Sequence, residues 1–437
     1  MHKIGIISLG CAKNLVGSEQ MMYLLRESGF EVTGETDGVD AVVLNTCGFI
    51  ESAKMEAIDN IIELGGKKAE GQFKKLIVTG CLAERYKNEI MSEMPEIDGV
   101  VGVGSFVDIV TAVRSALDGE HPSLFGDINA PIDETPRIIT TSPVWAYLKI
   151  AEGCDNRCAF CAIPDIRGKF RSRPSENIVK EARELCDRGI KELIIVAQDT
   201  TRYGIDLYGE RKLPELLTEL CEIDGLQWLR LHYLYPDAIG DDLIDMIAGN
   251  DKILKYLDIP IQHINDSVLT KMRRRSTGGE IRSLIKRLRE RIPGVVIRTS
   301  VITGLPGEGE REFEELCEFL HDAKIERAGV FPYSPEEGTP AAQMERPDRD
   351  TAERRAELVA DIQSQVLDEF NKSRAGSVMP VLIEGMSGVD YYGRSYAESP
   401  DVDGYVNVRG DGIKVNDFVD VRIIGTLNGE LLGQQVE

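Results

Sequence analysis

The sequence predicts an α/β protein in three parts: an N-terminal open parallel α/β domain, a central partial (βα)6 TIM-like barrel and a small C-terminal all-β barrel. Three observations carry this. From Met1 to about Gly119, strand-like apolar runs alternate with amphipathic helical stretches, as in a parallel sheet covered on both faces. A second alternating series begins at Val144 and gives six βα-type repeats over about 190 residues, short of the eight units of a complete barrel. From Gly376 onward only short β-type runs remain, separated by Gly, Asp and Asn turns, the pattern of a small barrel.

In the first part the strand candidates are Lys3–Leu9, Ala41–Asn45, Lys75–Thr79 and Gly99–Val103, with helices at Glu19–Glu27 and Ser52–Leu64 between them. Pro122, Pro131, Pro136 and Pro143 mark Glu120 to Ser142 as a linker. The second series has strand candidates Val144–Ile150, Glu192–Val196, Trp228–Tyr233, Tyr256–Ile261, Val295–Ile302 and Gly329–Tyr333. Helical stretches such as Pro174–Arg188, Glu280–Arg291 and Glu310–Asp322 separate them, and a charged helix, Asp348 to Lys372, leads out. The tail runs are Met379–Ile383, Tyr405–Val408, Phe418–Ile424 and Glu430–Val436. The expected division is residues 1–120, a linker at 121–142, the barrel at 143–372 and the tail at 373–437.

Hydrophobic content of 42% and charged content of 29% over 437 residues belong to a soluble globular chain. No apolar run approaches the roughly 18 residues of a membrane span. The apolar stretch Ile4–Leu9 reads as a first strand rather than a secretory signal, so a cytoplasmic location and no membrane partner are expected. The net charge of −23 repels nucleic acid at long range and favours a basic partner. The tail follows suit, with ten acidic residues against four basic ones. Small barrels of this kind frequently bind nucleic acid, but that balance favours packing or protein contact.

Chemistry concentrates in the cysteines. Cys154-Asp155-Asn156-Arg157-Cys158-Ala159-Phe160-Cys161 places three thiols, three and two residues apart, just after a strand. Such spacing can wrap one compact centre, and thiolates favour iron–sulfur clusters, zinc or copper(I). Three local ligands with no obvious fourth suggest an open position where substrate binds. A structural zinc site or a group of free thiols are the alternatives. Cys11, Cys47 and Cys81 each follow a candidate strand. In an open parallel sheet, ligands collect beyond the carboxyl ends of the strands, so these three are expected to meet at one sheet edge. The alternative is three buried structural thiols. Cys186, Cys221 and Cys317 lie in helical patterns and read as core.

On these residues the chain resembles the methylthiotransferases of the radical S-adenosylmethionine superfamily. Cys154-x-x-x-Cys158-x-Phe160-Cys161 matches the superfamily motif, and Ala151-Glu152-Gly153 with Ile163-Pro164-Asp165-Ile166-Arg167-Gly168 extends the match. Gly10-Cys11, Asn45-Thr46-Cys47-Gly48 and Thr79-Gly80-Cys81 resemble the family's own domain, and the tail resembles its appended TRAM-like barrel. Ser8 to Asn14 and Asn45 to Ile50 look like the branch that modifies a ribosomal protein rather than transfer RNA.

The resemblance implies two 4Fe–4S clusters and S-adenosyl-L-methionine. Cys154, Cys158 and Cys161 would hold the cluster that cleaves S-adenosylmethionine to a 5′-deoxyadenosyl radical. Cys11, Cys47 and Cys81 would hold the cluster that carries the sulfur, methylated by a second S-adenosylmethionine. The implied target is an aspartate β-carbon in protein twelve of the small ribosomal subunit, a basic protein, with an electron donor as second partner. The alternatives are a methylthiotransferase for transfer RNA adenosine and a non-catalytic iron–sulfur carrier.

Further positions are expected at the barrel mouth. Phe160, Gln198, Ser300 and Gly304 are the cofactor-binding candidates, with Asp199, Gln262 and His263 beside them. The stretch Ser300 to Glu308 resembles an adenine-contacting segment of the superfamily, but serine replaces its first glycine and the glutamate falls one position late. His263 reads as a satisfied polar residue. Arg273, Arg274 and Arg275 form the most basic cluster of the chain and read as a solvated helix end, with substrate contact as the other reading.

Overall fold

The computed structural model describes residues 1–427 and 429–436. Asn428 and Glu437, both within the expected tail, lie outside the described residues. The N-terminal sheet has six parallel strands in the order Glu31–Thr33, Lys3–Ser8, Ala41–Thr46, Lys75–Gly80, Gly99–Val101 and Ser123–Leu124. Its central strands are apolar on both sides because both sides are covered. Val42 and Leu44 pack with Ile61 and Leu64 of the helix Glu51–Ala69. Ala41 and Val43 pack with Met21 and Leu25 of the helix Ala12–Glu27. The two edge strands, three and two residues long, are too short to leave a periodic signal. One of them, Ser123–Leu124, lies in the stretch expected as linker.

The rest of that stretch is pinned rather than loose. Buried Arg137 donates to Glu181 Oε1 at 2.6 Å and pairs with Glu19 of the first helix. The other carboxylate oxygen of Glu19 accepts from Thr140 N at 2.7 Å.

The central sheet has six parallel strands in sequential order: Trp145–Lys149, Glu192–Val196, Trp228–Leu231, Ile253–Asp258, Val296–Thr303 and Arg327–Pro332. Alternate residues serve two cores. Leu148, Leu193, Ile195, Leu229 and Leu257 face the surrounding helices. Trp145, Tyr147, Ile194, Trp228 and Tyr256 face the other way and pack with Val16 of the first helix and with Leu382 and Ala397 of the tail. An incomplete barrel leaves its inner face short of partners, and here the tail supplies them.

The tail is a closed five-stranded barrel: Val378–Ser387, Asp390–Arg394, Val406–Arg409, Phe418–Leu427 and Glu430–Gln435. The strand Asp390–Arg394 has no sequence counterpart among the expected runs, because Tyr391 and Tyr392 are flanked by Asp390 and Gly393 without apolar alternation. The segment after it enters the inner face of the central sheet. Asp401 accepts from Tyr147 Oη at 3.0 Å, Asp403 from Tyr256 Oη at 2.5 Å, and Ser399 Oγ meets His232 Nε2 at 2.8 Å. Glu192, fully buried, holds Arg230 and Arg394 at 2.6 Å each. Among the described residues no helix is long and apolar enough to cross a membrane.

Candidate metal centres

The strands that end before Cys11, Cys47 and Cys81 are neighbours in the sheet, with Ser8 beside Asn45 and Thr46 beside Gly80. Strands in a ladder stand about 4.8 Å apart, so register alone gathers the three cysteines at one edge. Gly10 sets the closeness: at φ +84° a Cβ there would lie 2.7 Å from Cys47 Cβ, so only glycine fits. The loop is then locked. Asn14 Nδ2 donates to Leu9 O at 2.7 Å and Thr46 O at 3.2 Å, and Asn45 Nδ2 donates to Asn14 O at 2.9 Å.

Cys154, Cys158 and Cys161 sit in a loop closed at its base by the antiparallel pairs Ala151–Ser172 and Glu152–Arg171. Cys154 N donates to Gly168 O at 3.1 Å, and Cys161 N to Cys158 O at 3.1 Å. Ala159 is tied on both sides, to Met272 O at 3.0 Å and from Ala341 N at 2.9 Å. Asn156 bonds Asp199 Oδ2 at 2.6 Å, which links the loop to the mouth of the barrel.

Each thiol set has its own cations. Arg167 Nη2 donates to Cys81 Sγ at 3.3 Å and to Asn14 Oδ1 at 3.2 Å, while Nη1 donates to Glu152 Oε1 at 2.9 Å. Arg167 belongs to the helix Ile163–Arg167, directly after Cys161. It therefore carries the second cysteine loop to the first thiol set, and Cys81 packs against Ala162 and Ile166. At the other set, Arg274 Nη1 donates to Cys158 Sγ at 3.6 Å and Tyr235 Oη lies 3.4 Å from the same sulfur. The Arg274 guanidinium stacks 4.0 Å from the Tyr235 ring centroid.

Burial pushes the Cys47 and Cys154 thiols up to about 11, and raises Cys81 and Cys161 as well. Cys11 goes the other way. Burial raises it, but the charges of Lys13 and Arg167 outweigh that and hold the thiol below its ordinary value. Among the described residues no three His, Cys, Asp or Glu side chains already stand in closed metal-ligand geometry. The donors nevertheless suit an iron–sulfur centre: thiols only, gathered by threes, with hydrogen-bond donors aimed at their sulfurs, the arrangement that holds and tunes such clusters.

The remaining expected positions fall into two groups. Phe160 packs between Cys161, Tyr235 and Ala238 on one side and Leu305 and Tyr333 on the other. Gln198 donates to Glu152 Oε1 at 2.9 Å and leaves its amide oxygen buried without a partner, an acceptor open to a ligand. Ser300 is half-buried on its strand, and its carbonyl accepts from Gln262 N at 2.8 Å. Gly304 has a packing role: a Cβ would stand 2.3 Å from that of Ala352 in the helix Arg349–Ser373. Glu308 is likewise occupied, accepting from Gly304 N at 2.8 Å and pairing with Arg355 at 2.9 Å. His263, fully buried, accepts from Asn265 N at 3.0 Å through Nδ1, while its Nε2 faces Glu308 Oε2 at 3.2 Å without a hydrogen bond, so only half of the ring's polar capacity is satisfied, against the expectation of a satisfied polar residue.

The arginine run differs from a solvated helix end. The helix Asp266–Lys271 stops, Arg273 takes a left-handed conformation at φ +54°, and that turn swings Arg274 inward to Cys158. Arg273 and Arg275 stay exposed. Sequence reasoning gave no role to Arg167 or Tyr235. Arg167 stood in the quoted flank of the cysteine motif, whereas Tyr235 carried no signal.

The central sheet, the cysteine loop at its mouth and the second cysteine set define an enzyme of the radical S-adenosylmethionine superfamily, a class that implies a 4Fe–4S cluster and S-adenosylmethionine. Residues 148–320 match the Radical SAM superfamily model, 3–102 match Uncharacterized protein family UPF0004 and 375–436 match the TRAM domain. Solved structures share the fold. Radical S-adenosylmethionine methyltransferase TsrM from Kitasatospora setae, solved with cobalamin and a [4Fe-4S] cluster, is 13% identical at TM-score 0.58, covering 87% of this chain and 77% of its own. The cobalamin-dependent enzyme OxsB is 12% identical at TM-score 0.51, covering 84% and 56%.

Curated sequences narrow the class. "Ribosomal protein uS12 methylthiotransferase RimO" of Caldanaerobacter subterraneus is 48% identical over 442 residues, covering 99% of this chain and 100% of the relative. Relatives of the same name from Desulforamulus reducens, 48% identical with 99% of each chain covered, and Clostridium perfringens, 46% identical with 99% and 98% covered, agree. The chain belongs to the RimO family of methylthiotransferases.

Proposed function

We propose that this enzyme adds a methylthio group to the β-carbon of an aspartate in ribosomal protein uS12, using two 4Fe–4S clusters and S-adenosylmethionine. The observation that carries the reading is the pairing of two cysteine trios, each on its own domain, joined by Arg167. When bound, the clusters and S-adenosylmethionine would supply radical hydrogen abstraction, sulfur and a methyl group.

The chain's own residues do the rest. Cys154, Cys158 and Cys161 would hold the radical-generating centre, and Cys11, Cys47 and Cys81 the sulfur-carrying one. Phe160, Gln198, Ser300 and Gly304 border the S-adenosylmethionine site, Gln198 with its free amide oxygen. Arg167, fixed by Glu152 and Asn14, holds the two centres in one arrangement. Residues 1–120 would hold the sulfur source, residues 143–372 the radical source, and the TRAM-like segment 373–437 would meet the basic substrate. Segment 121–142 connects the first two. A cytoplasmic electron donor completes the reaction.

The test is direct. Reduced, cluster-loaded protein is incubated with S-adenosylmethionine and either purified uS12 or transfer RNA, and products are read by mass spectrometry. Methylthiolation of uS12 together with 5′-deoxyadenosine and methionine is expected. Modification of RNA alone would move the substrate, and absence of 5′-deoxyadenosine would remove the radical step.

A further inference from the structure

Lys13 stands apart from every other buried cation. It is 7% exposed, in the first turn of the helix after Cys11. Among the described residues, each other buried lysine or arginine has a carboxylate within ion-pair distance: Lys54 has Glu336, Lys149 and Arg167 share Glu152, Arg137 has Glu19, and the buried arginines of the central barrel and tail are paired likewise. Lys13 has none. Its ammonium rests 3.5 Å from the ring centroid of Tyr233. The Tyr233 ring and the neighbouring Cys11 thiol, which Lys13 draws below its ordinary value, offset only part of the cost of desolvating an ammonium, and once Cys11 serves a metal centre a further anion would complete the site.

The place of Lys13 says which anion. Tyr233 follows the strand Trp228–Leu231 at the mouth of the barrel and takes φ +58° there. Lys13 thus stands beside both Cys11 and Tyr233, bringing the first cysteine set against the barrel mouth. Its position is rigid, since Asn14 is bonded to Leu9, Thr46, Asn45 and Arg167. On the reading above, a carbon that takes sulfur from the Cys11 set and loses hydrogen at the barrel mouth would approach Lys13. We infer that Lys13 binds the side-chain carboxylate of the substrate aspartate and so selects an acidic residue for methylthiolation.

This rests on the uS12 reading above, and the experiment separates the two. Binding of uS12 and of its variant with Asn at the modified aspartate is measured by fluorescence anisotropy, with cluster-loaded and cluster-free enzyme. Wild type is expected to prefer the Asp form by tenfold or more. Lys13→Met is expected to bind both forms alike, with its loss confined to the Asp form, and Lys13→Arg to keep part of the preference. Iron content of each variant is read alongside. If Lys13 only balances charge at the Cys11 centre, Lys13→Met loses iron yet keeps the wild-type preference in the cluster-free protein, and the inference is overturned. Equal affinity of wild type for the Asp and Asn forms overturns it too. A wild type that does not bind uS12 at all removes the substrate reading and, with it, this role.

Discussion

Arg274 should set the reduction potential of the radical-generating centre. Its guanidinium donates to Cys158 Sγ at 3.6 Å, and reduction adds negative charge to the centre that this sulfur would hold. One unit charge at 3.6 Å with an effective dielectric near 20 is worth about 5 kcal/mol. For a one-electron couple, about 59 mV corresponds to a tenfold change in equilibrium, so the full interaction amounts to about 200 mV. Arg274 is only partly buried and the added charge spreads over the whole cluster, which together roughly halve the effect. Arg274→Met is therefore expected to lower the midpoint by about 100 mV. Arg274→Lys, which keeps charge but loses the stack on Tyr235, should fall between. Tyr235→Phe, losing only the contact at 3.4 Å, should shift less than either. The assay is a potentiometric titration followed by electron paramagnetic resonance of the reduced cluster, in the Cys47→Ala background so that one centre reports. An unchanged or higher midpoint in Arg274→Met would refute the electrostatic account.

Three further outcomes follow from other contacts. Cys47→Ala should leave 5′-deoxyadenosine production measurable and end methylthio transfer; equal loss of both would contradict separate roles for the two cysteine sets. Glu398, buried between Arg374, Arg327 and Ser395, is held down to about 2 from an ordinary 4.5, the pull of Arg374 and Arg327 overcoming the burial that raises it. A depressed carboxylate stabilises the fold above its unfolded value and loses that contribution as pH falls, here about 3 kcal/mol between roughly pH 5 and pH 2. Glu398→Gln should flatten this slope in urea titrations followed by the fluorescence of Trp145 and Trp228; an unchanged slope would place the sensitivity elsewhere. Gly304→Ala combines a left-handed backbone with a clash on Ala352 and should cost about 3 kcal/mol, measured as a lower unfolding midpoint. Ala352→Gly in the same chain should restore the steric share, and no rescue would mean that the helix had simply moved aside.

What was legible in the sequence followed periodicity and spacing. The first five central strands leave largely buried, mostly apolar runs that a window detects, whereas in Arg327–Pro332 only Arg327 is fully buried; strand ends in a parallel sheet fix which loops share an edge, so Cys11, Cys47 and Cys81 could be brought together on paper. The strands Glu31–Thr33, Ser123–Leu124 and Asp390–Arg394 stayed hidden, being either too short or too polar. Side-chain direction was hidden as well. Arg273, Arg274 and Arg275 read alike in a string, and one left-handed residue separates the inward guanidinium from its two exposed neighbours. Lys13 carried no signal beyond its place in the Ser8 to Asn14 stretch, because its isolation depends on what a second domain places above it.

Total charge does not distinguish buried acids from exposed ones. The tail's ten acidic residues against four basic ones favoured packing or protein contact, and several of these charges are internal. Glu384 binds Arg394 and Trp145, Glu398 binds Arg374 and Arg327, and Asp403 accepts from Tyr256 beside Arg327. They pin the tail to the inner face of the central barrel, where a formal count of charge has no bearing on partners. Attraction of a basic protein rests instead on the exposed acids, such as Asp411, Asp417 and Asp420. Exposed charges act through solvent and are screened within about 8 Å at physiological salt. They therefore raise the rate of encounter more than the strength of the complex. Recognition of the target residue must then come from a desolvated contact close to the reacting carbon, which is the position that Lys13 occupies.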